Sequence, residues 1–255
     1  MVEVKSPAEV EAMRAAGRVV AAALAAVRER AAVGVSLREL DAVARDVLAG
    51  AGARSTFQGY HPRFAPAPFP AVLCTSVNDA ALHGIPTAYR LRDGDVLSVD
   101  FGAEVDGWAA DAADTVIVGT ARPEDARLVA TTRAALAAGI AAARPGNRIG
   151  DVSAAIGAVA RDAGYGVNTD FGGHGIGRRM HEEPSVPNDG RPGRGLPLQP
   201  GLVIAIEPWF LAGGRSGYRI DEDGWTLRSA DGSRAAHQEH TVALTAGGPQ
   251  VLTAG

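Results

Sequence analysis

Shifted by 112 residues, the first part of this chain falls on a later part of itself, and no other feature constrains the fold as tightly. Under that shift Ala22-Ala23-Leu24-Ala25-Ala26 lands on Ala134-Ala135-Leu136-Ala137-Ala138, Gly34 on Gly146, Leu37 on Ile149, Leu40 on Val152, Val47 on Val159 and Gly52 on Gly164. Alanine is common in the chain, so the first match is weak by itself. Glycines and aliphatics at the same offset carry the argument. Two helical patterns followed by extended segments, in each copy, predict a duplicated α+β fold.

The element boundaries follow from local signals. Ser6-Pro7-Ala8-Glu9 predicts a helix start, with Ser6 as N-cap, Pro7 in the first helical position and Glu9 closing a capping box. That helix is expected to run to about Arg30. Gly34 then breaks the chain, and a second helix is expected from Leu37 to Leu48, ending at Gly50 or Gly52. Extended segments fill Thr56 to Val118, helices return over Pro123 to Ala143 and Ile149 to Ala163, and the remainder is extended again. The expectation is one domain over residues 1–255, with halves of roughly 1–120 and 121–255.

Composition removes several function classes. A net charge of -4 argues against a general binder of nucleic acid or anionic membrane, which needs clustered Lys and Arg. One cysteine, Cys74, excludes an internal disulfide framework and a cysteine-rich zinc module, and fits a reducing compartment. Residues 1–6 have no apolar core behind a basic start, and the Ala-rich stretches are broken by Arg14, Arg18, Arg28 and Arg30. A soluble, cytoplasmic protein is expected.

A second offset links the strands. Gly94-Asp95-Val96-Leu97-Ser98-Val99-Asp100 resembles Gly201-Leu202-Val203-Ile204-Ala205-Ile206-Glu207, 107 residues on. Each runs from a turn glycine through an apolar strand to one carboxylate. An unpaired buried charge is costly, so two such strands, one per half, predict a shared cation. Asp100 and Asp111 flank a turn at Val105-Asp106-Gly107. In a hairpin with an even-length loop, opposed residues have opposite parity, so these two acids share one face. A divalent cation is the usual remedy for their repulsion. Asp111 alone, in a run of small residues, reads rather as a turn or surface residue; only the other acids beside it favour ligation.

Histidines add to the set. His174 sits in Gly172-Gly173-His174-Gly175, where glycines leave the imidazole sterically open, although such a histidine is often only a loop residue. His181, before Glu182-Glu183-Pro184, is a candidate for acid/base work. The pattern is not the helical H-E-x-x-H zinc motif. Glu239 opens another apolar strand and by itself reads equally as an exposed edge residue. His83, between Ser76-Val77-Asn78-Asp79 and Gly84-Ile85-Pro86, keeps a catalytic role open.

Taken in order, these segments resemble the type I methionine aminopeptidases, of the creatinase-like pita-bread fold. The resemblance rests on Ser6-Pro7-Ala8-Glu9-Val10-Glu11, Ser76-Val77-Asn78 with His83-Gly84-Ile85-Pro86, Val99-Asp100-Phe101-Gly102, Gly173-His174-Gly175-Ile176-Gly177 with His181-Glu182-Glu183-Pro184, Ile206-Glu207-Pro208, Asp223-Gly224-Trp225-Thr226 and Glu239-His240-Thr241. It implies two pseudo-symmetric halves with helices covering a curved, mostly antiparallel sheet.

The resemblance also implies two divalent metal ions held by Asp100, Asp111, His174, Glu207 and Glu239. In it Asp111 and Glu239 bridge, Asp100 binds one ion bidentately, and His174 and Glu207 bind the other. An oxygen-rich set with one imidazole suits manganese, iron or cobalt at least as well as zinc. Glu207 is the implied general base, and His83 and His181 the implied catalytic and substrate-contacting histidines. The implied methionine pocket comprises Phe57, Tyr60, Phe69, Cys74, Met180 and Trp225. The implied activity is removal of the initiator methionine, with nascent polypeptide N-termini as partners and a small second residue preferred. No nucleic acid substrate, no membrane and a monomer are implied, and transient ribosome contact is left open.

Three features depart from the family's pattern. The loop His61-Pro62-Arg63-Phe64-Ala65-Pro66-Ala67 is longer than expected, Met180 stands where phenylalanine is common, and His237-Gln238 precede Glu239 where an aromatic is usual. Two rival readings are an X-Pro peptidase of the same fold, which usually carries an extra N-terminal domain, and a catalytically silent binding module, which would lack the ligands.

Overall fold

The computed structural model describes residues 2–254. Helix α1 spans Pro7–Arg30 and α2 spans Leu37–Ala51; α3 spans Pro123–Ala142 and α4 spans Ile149–Ala163. The expected capping box at Ser6 forms, and a second one at Ser36 starts α2. The Ser6 and Ser36 hydroxyls accept from the backbone N–H of Glu9 and Glu39, whose carboxylates accept the backbone N–H of Ser6 and Ser36 at 2.8 and 2.9 Å. The second helix runs three residues past the expected Leu48. It stops at Gly52 rather than Gly50, because Gly52 takes the left-handed conformation (φ 62°) that closes the helix end.

The 112-residue offset survives in space. Arg30 and Ala142 end the first helix of each half, Ala51 and Ala163 end the second, and both second helices close on a left-handed glycine, Gly52 and Gly164. The residues just before those second helices, Ser36 and Arg148, bridge to Arg90 and Pro197. Such repetition follows if each half solves the same packing problem with the same local signals.

Both helix pairs pack on one face of a nine-stranded sheet whose described pairings are antiparallel. Its longest pair is the hairpin Val96–Val105 with Trp108–Ile117. Asp106 (φ 50°) and Gly107 (φ 76°) form the two-residue loop, the left-handed pair that a tight hairpin turn requires. Trp108–Ile117 pairs with Glu239–Thr245, which pairs with Val203–Ile206, which pairs with Gly173–Gly175. The two halves thus meet in mid-sheet, and the fold is α+β with two related halves.

Alternation decides which side chains meet the helices. Leu97, Val99, Phe101 and Ala103 pack with Ala16, Val20 and Leu40 of the first helix pair. Ile204, Ile206 and Val242 pack with Leu136 and Ile156 of the second. Residues between them turn to the other face. Among the described residues, no helix is long and apolar enough to cross a membrane.

One buried ion pair ties the N-terminal arm to the second half. Lys5 Nζ donates to Glu182 at 2.7 Å, with the side chains only 2% and 5% exposed, and the Arg179 N–H donates to the same carboxylate at 3.1 Å. Burial opposes ionisation of Glu182, but Lys5 and the Arg179 N–H outweigh it and hold its pKa below the ordinary glutamate value. Lys5→Ala leaves that carboxylate buried and unpaired, so a loss of about 3–5 kcal/mol is expected in urea unfolding. A depressed carboxylate pKa contributes stability above its unfolded value that is lost as pH falls through the folded one. The Lys5→Ala penalty therefore shrinks in acid. A penalty under about 1 kcal/mol at neutral pH would assign the pair no structural weight.

Candidate metal centre and active site

Register brings the five candidate ligands to one face. In the long hairpin Asp100 pairs with Ala113 and Asp111 with Gly102, so both acids point to the side away from α1 and α2. Glu239 pairs with Ala113 and joins them. The His240–Ile206 pair sets Glu207, one residue on, across from Glu239. The Gly175–Ile204 pair sets His174, one residue back, on the side of Ala205 and Glu207. All five line one cavity of about 300 Å³.

Inside it, one ligand atom from each of Asp111, His174 and Glu239 lies within 4.8 Å of the other two. His174 Nε2 is 3.5 Å from Asp111 Oδ2 and 3.7 Å from Glu207 Oε1. Its Nδ1 lies 2.9 Å from the Gly175 carbonyl, which orients the ring and leaves Nε2 to face the acids. Asp100 and Glu207 flank that tight trio. The Asp111 backbone is braced from the opposite half: its N–H donates to Thr241 Oγ1 at 3.0 Å, and the Thr241 hydroxyl lies 2.8 Å from its carbonyl.

The donors fit a cation. Asp100 Oδ1 is buried with no hydrogen-bond partner. Burial and the neighbouring acids push Asp100 and Glu239 well above the ordinary carboxylate range. For Asp111, burial outweighs the opposing His174 and takes the pKa to about 6. Glu207 goes the other way: burial opposes its ionisation, but the imidazoles of His237 and His174 hold it below the usual value. Three acids that resist charging when uncompensated are the set a cation would stabilise.

The two further histidines border the same cavity. His83 holds a left-handed backbone (φ 57°), and its Nδ1 is buried without a partner. Burial takes its pKa down to about 4. His181 lies ring to ring with His174 at 4.2 Å, and burial, then His174, takes it to about 3. Both are neutral near pH 7.

Beside the acids lies an apolar pocket. Phe57, Phe69, Cys74, Met180 and Trp225 form one buried cluster, with Phe69 and Trp225 edge to face at 5.1 Å. Cys74 pairs in register with Asp100, which places pocket and acids side by side. Burial, then Asp100 and Glu239, push its thiol well up, so it stays protonated. Tyr60 stands at the rim, 37% exposed, its ring 5.2 Å from that of His181.

Sequence reading left other lining residues without a role. Phe64, in the longer loop, and Phe171, just before the glycine run, both line the cavity. His237, noted only as a departure, places Nε2 at 3.6 Å from Glu207 Oε2. An aromatic flanked by prolines was the available signal for Phe64; the other two show none without the fold.

Comparison with known proteins shows the family of the chain. A family model for metallopeptidase family M24 matches residues 11–246. The chain is 48% identical to methionine aminopeptidase 1 of Mycobacterium tuberculosis, with 98% of this chain and 94% of that protein covered. It superposes on the crystal structure of methionine aminopeptidase from Thermotoga maritima with a TM-score of 0.95 at 38% identity, each chain covered completely. A prolidase from Pyrococcus furiosus shares the fold at a TM-score of 0.77 and 22% identity, but this chain spans only 65% of it. The chain belongs to metallopeptidase family M24 and, within it, to the methionine aminopeptidases.

Proposed function

We propose that this chain is a two-metal aminopeptidase that removes the N-terminal methionine from nascent polypeptides whose second residue is small. The observation that carries the reading is one sheet face of four carboxylates and an imidazole opening beside an apolar pocket. Asp100, Asp111, His174, Glu207 and Glu239 are the residues to hold two divalent ions, manganese, iron, cobalt or zinc. Their four carboxylates offset the four positive charges of such a pair. Bound there, the ions would supply Lewis acidity and a water nucleophilic near neutral pH.

The chain's own groups do the rest. Glu207, held ionised beside His237, takes the proton of the attacking water as general base. Neutral His181 donates a hydrogen bond to the oxygen that gains charge, and His83 contacts the substrate backbone. Phe57, Tyr60, Phe69, Cys74, Met180 and Trp225 surround the thioether side chain, to which a polarizable, aromatic lining is suited. The same reading makes residues 1–255 one catalytic domain of two related halves, working as a cytoplasmic monomer on polypeptides that have just left the ribosome.

The test is hydrolysis of Met-Ala-Ser by the purified protein across a series of manganese, iron, cobalt and zinc concentrations. Activity rising to a plateau at about two equivalents of metal is expected. A preference for X-Pro peptides over Met-Ala-Ser would reject the assignment, and equal cleavage of Met-Lys and Met-Ala peptides would reject the small-residue preference.

A further inference from the structure

The loop between Tyr60 and Phe69 is braced, although it lies at the surface. Its ends are joined by the Phe69 N–H donating to the Tyr60 carbonyl at 2.9 Å. Within it, the Ala65 N–H donates to the Pro62 carbonyl at 3.2 Å, and His61 Nε2 lies 3.1 Å from the Ala65 carbonyl. Trp225 Nε1 donates to the Ala67 carbonyl at 3.0 Å, and Pro66 packs so closely on Gly224 that a Cβ there would come within 2.3 Å of the proline ring. Prolines at 62, 66 and 68 restrict the backbone further.

That bracing holds one large apolar side chain out over the cavity. Phe64 is 47% exposed, yet its ring lies edge to face with Trp225 and Phe171, each at 5.8 Å, and near-parallel to His83 at 6.4 Å. Tyr60, from the same loop, leans on His181. One loop therefore sets an exposed aromatic against each of the two neutral histidines. Leaving such a ring half in water has a cost that a bound apolar side chain would recover.

We infer that Phe64 is a specificity-determining residue, the outer wall that closes over the substrate's first side chain and narrows the pocket to a thin, unbranched one. This rests on the aminopeptidase reading. On it, Phe64→Ala raises KM for Met-Ala-Ser about ten- to hundredfold while kcat changes less than about threefold. Discrimination against Ile-Ala-Ser narrows by a similar factor. Phe64→Leu restores part of both. Arg63→Ala, exposed in the same turn, changes neither.

The experiment has a second arm that needs no turnover. Cys74 is the chain's one cysteine, lies 5% exposed in the same cavity, and reports access past Phe64. Labelling of the protein with a neutral disulfide reagent is expected to be several-fold faster in Phe64→Ala than in wild type or Arg63→Ala, at equal Tm. Unchanged labelling would overturn the inference, as would an unchanged KM, or a fall in kcat and Tm with selectivity intact. Wild-type protein inactive on Met-Ala-Ser at every metal concentration would instead sink the aminopeptidase reading, and the labelling arm would still decide whether Phe64 covers the pocket.

Discussion

Asp111→Ala is expected to abolish both metal binding and turnover, with kcat/KM on Met-Ala-Ser falling on the order of 10³-fold or more. The magnitude follows because the cations are assigned several kcal/mol of charge stabilisation, and each 1.36 kcal/mol is about a factor of ten. Asp111 is the acid with a ligand atom closest to both His174 and the opposite half's Glu239, and its backbone is held by Thr241 from that half. Removing it opens the centre where the two halves join. Two measurements check this: metal content after dialysis against manganese, and the rise in Tm that manganese is expected to produce in wild type and not in the variant. Full activity in Asp111→Ala would show that the assigned cluster is not the catalytic one.

Replacing His83 should separate chemistry from metal binding. Its left-handed backbone makes alanine an ambiguous test, since strain of about 1–2 kcal/mol would accompany loss of the ring. Asparagine tolerates that conformation, so His83→Asn is the cleaner variant. Turnover on the order of 10²–10³-fold lower is expected, with metal content and Tm at neutral pH close to wild type. Loss of metal in step with activity would move His83 into the ligand set instead.

The pH behaviour of His83 follows from burial. Its pKa falls from 6.5 to about 4, so the ring is neutral across the assay range, and wild type and His83→Asn should share one profile of relative activity between about pH 6 and 8. Stability carries the complementary signature. The unfolded chain binds a proton at this ring below 6.5 while the folded chain does not until about 4, so wild-type stability present above 6.5 drains away as pH falls through that window. His83→Asn lacks this term and should lose less stability on acidification, as measured by urea unfolding at about pH 7 and pH 5. Equal acid losses in the two proteins would mean that His83 is exposed and titrates normally.

Much of this protein was legible before any fold was known, wherever the cause was local. The capping box at Ser6, the turn at Asp106-Gly107 and the glycine stop at 52 act through neighbours a few residues apart, so sequence signals placed them within a few residues. Alternation along Val96–Val105 and Trp108–Ile117 already put Asp100 and Asp111 on one face. The duplicated helix pairs were visible because each half repeats the same local code.

Contacts between distant segments were settled only by tertiary structure. Glu239 by itself reads as an edge residue; pairing with Ala113 makes it a buried neighbour of Asp111. Nothing in the local pattern of His237 predicts a carboxylate at 3.6 Å, because Glu207 arrives from another strand. Phe64 sits in a loop whose shape depends on Trp225 and Gly224, more than 150 residues away. Side-chain alternation is a property of one strand and can be read from it, whereas the register between strands, and hence which buried charges share a cavity, is decided by packing the whole sheet against its four helices.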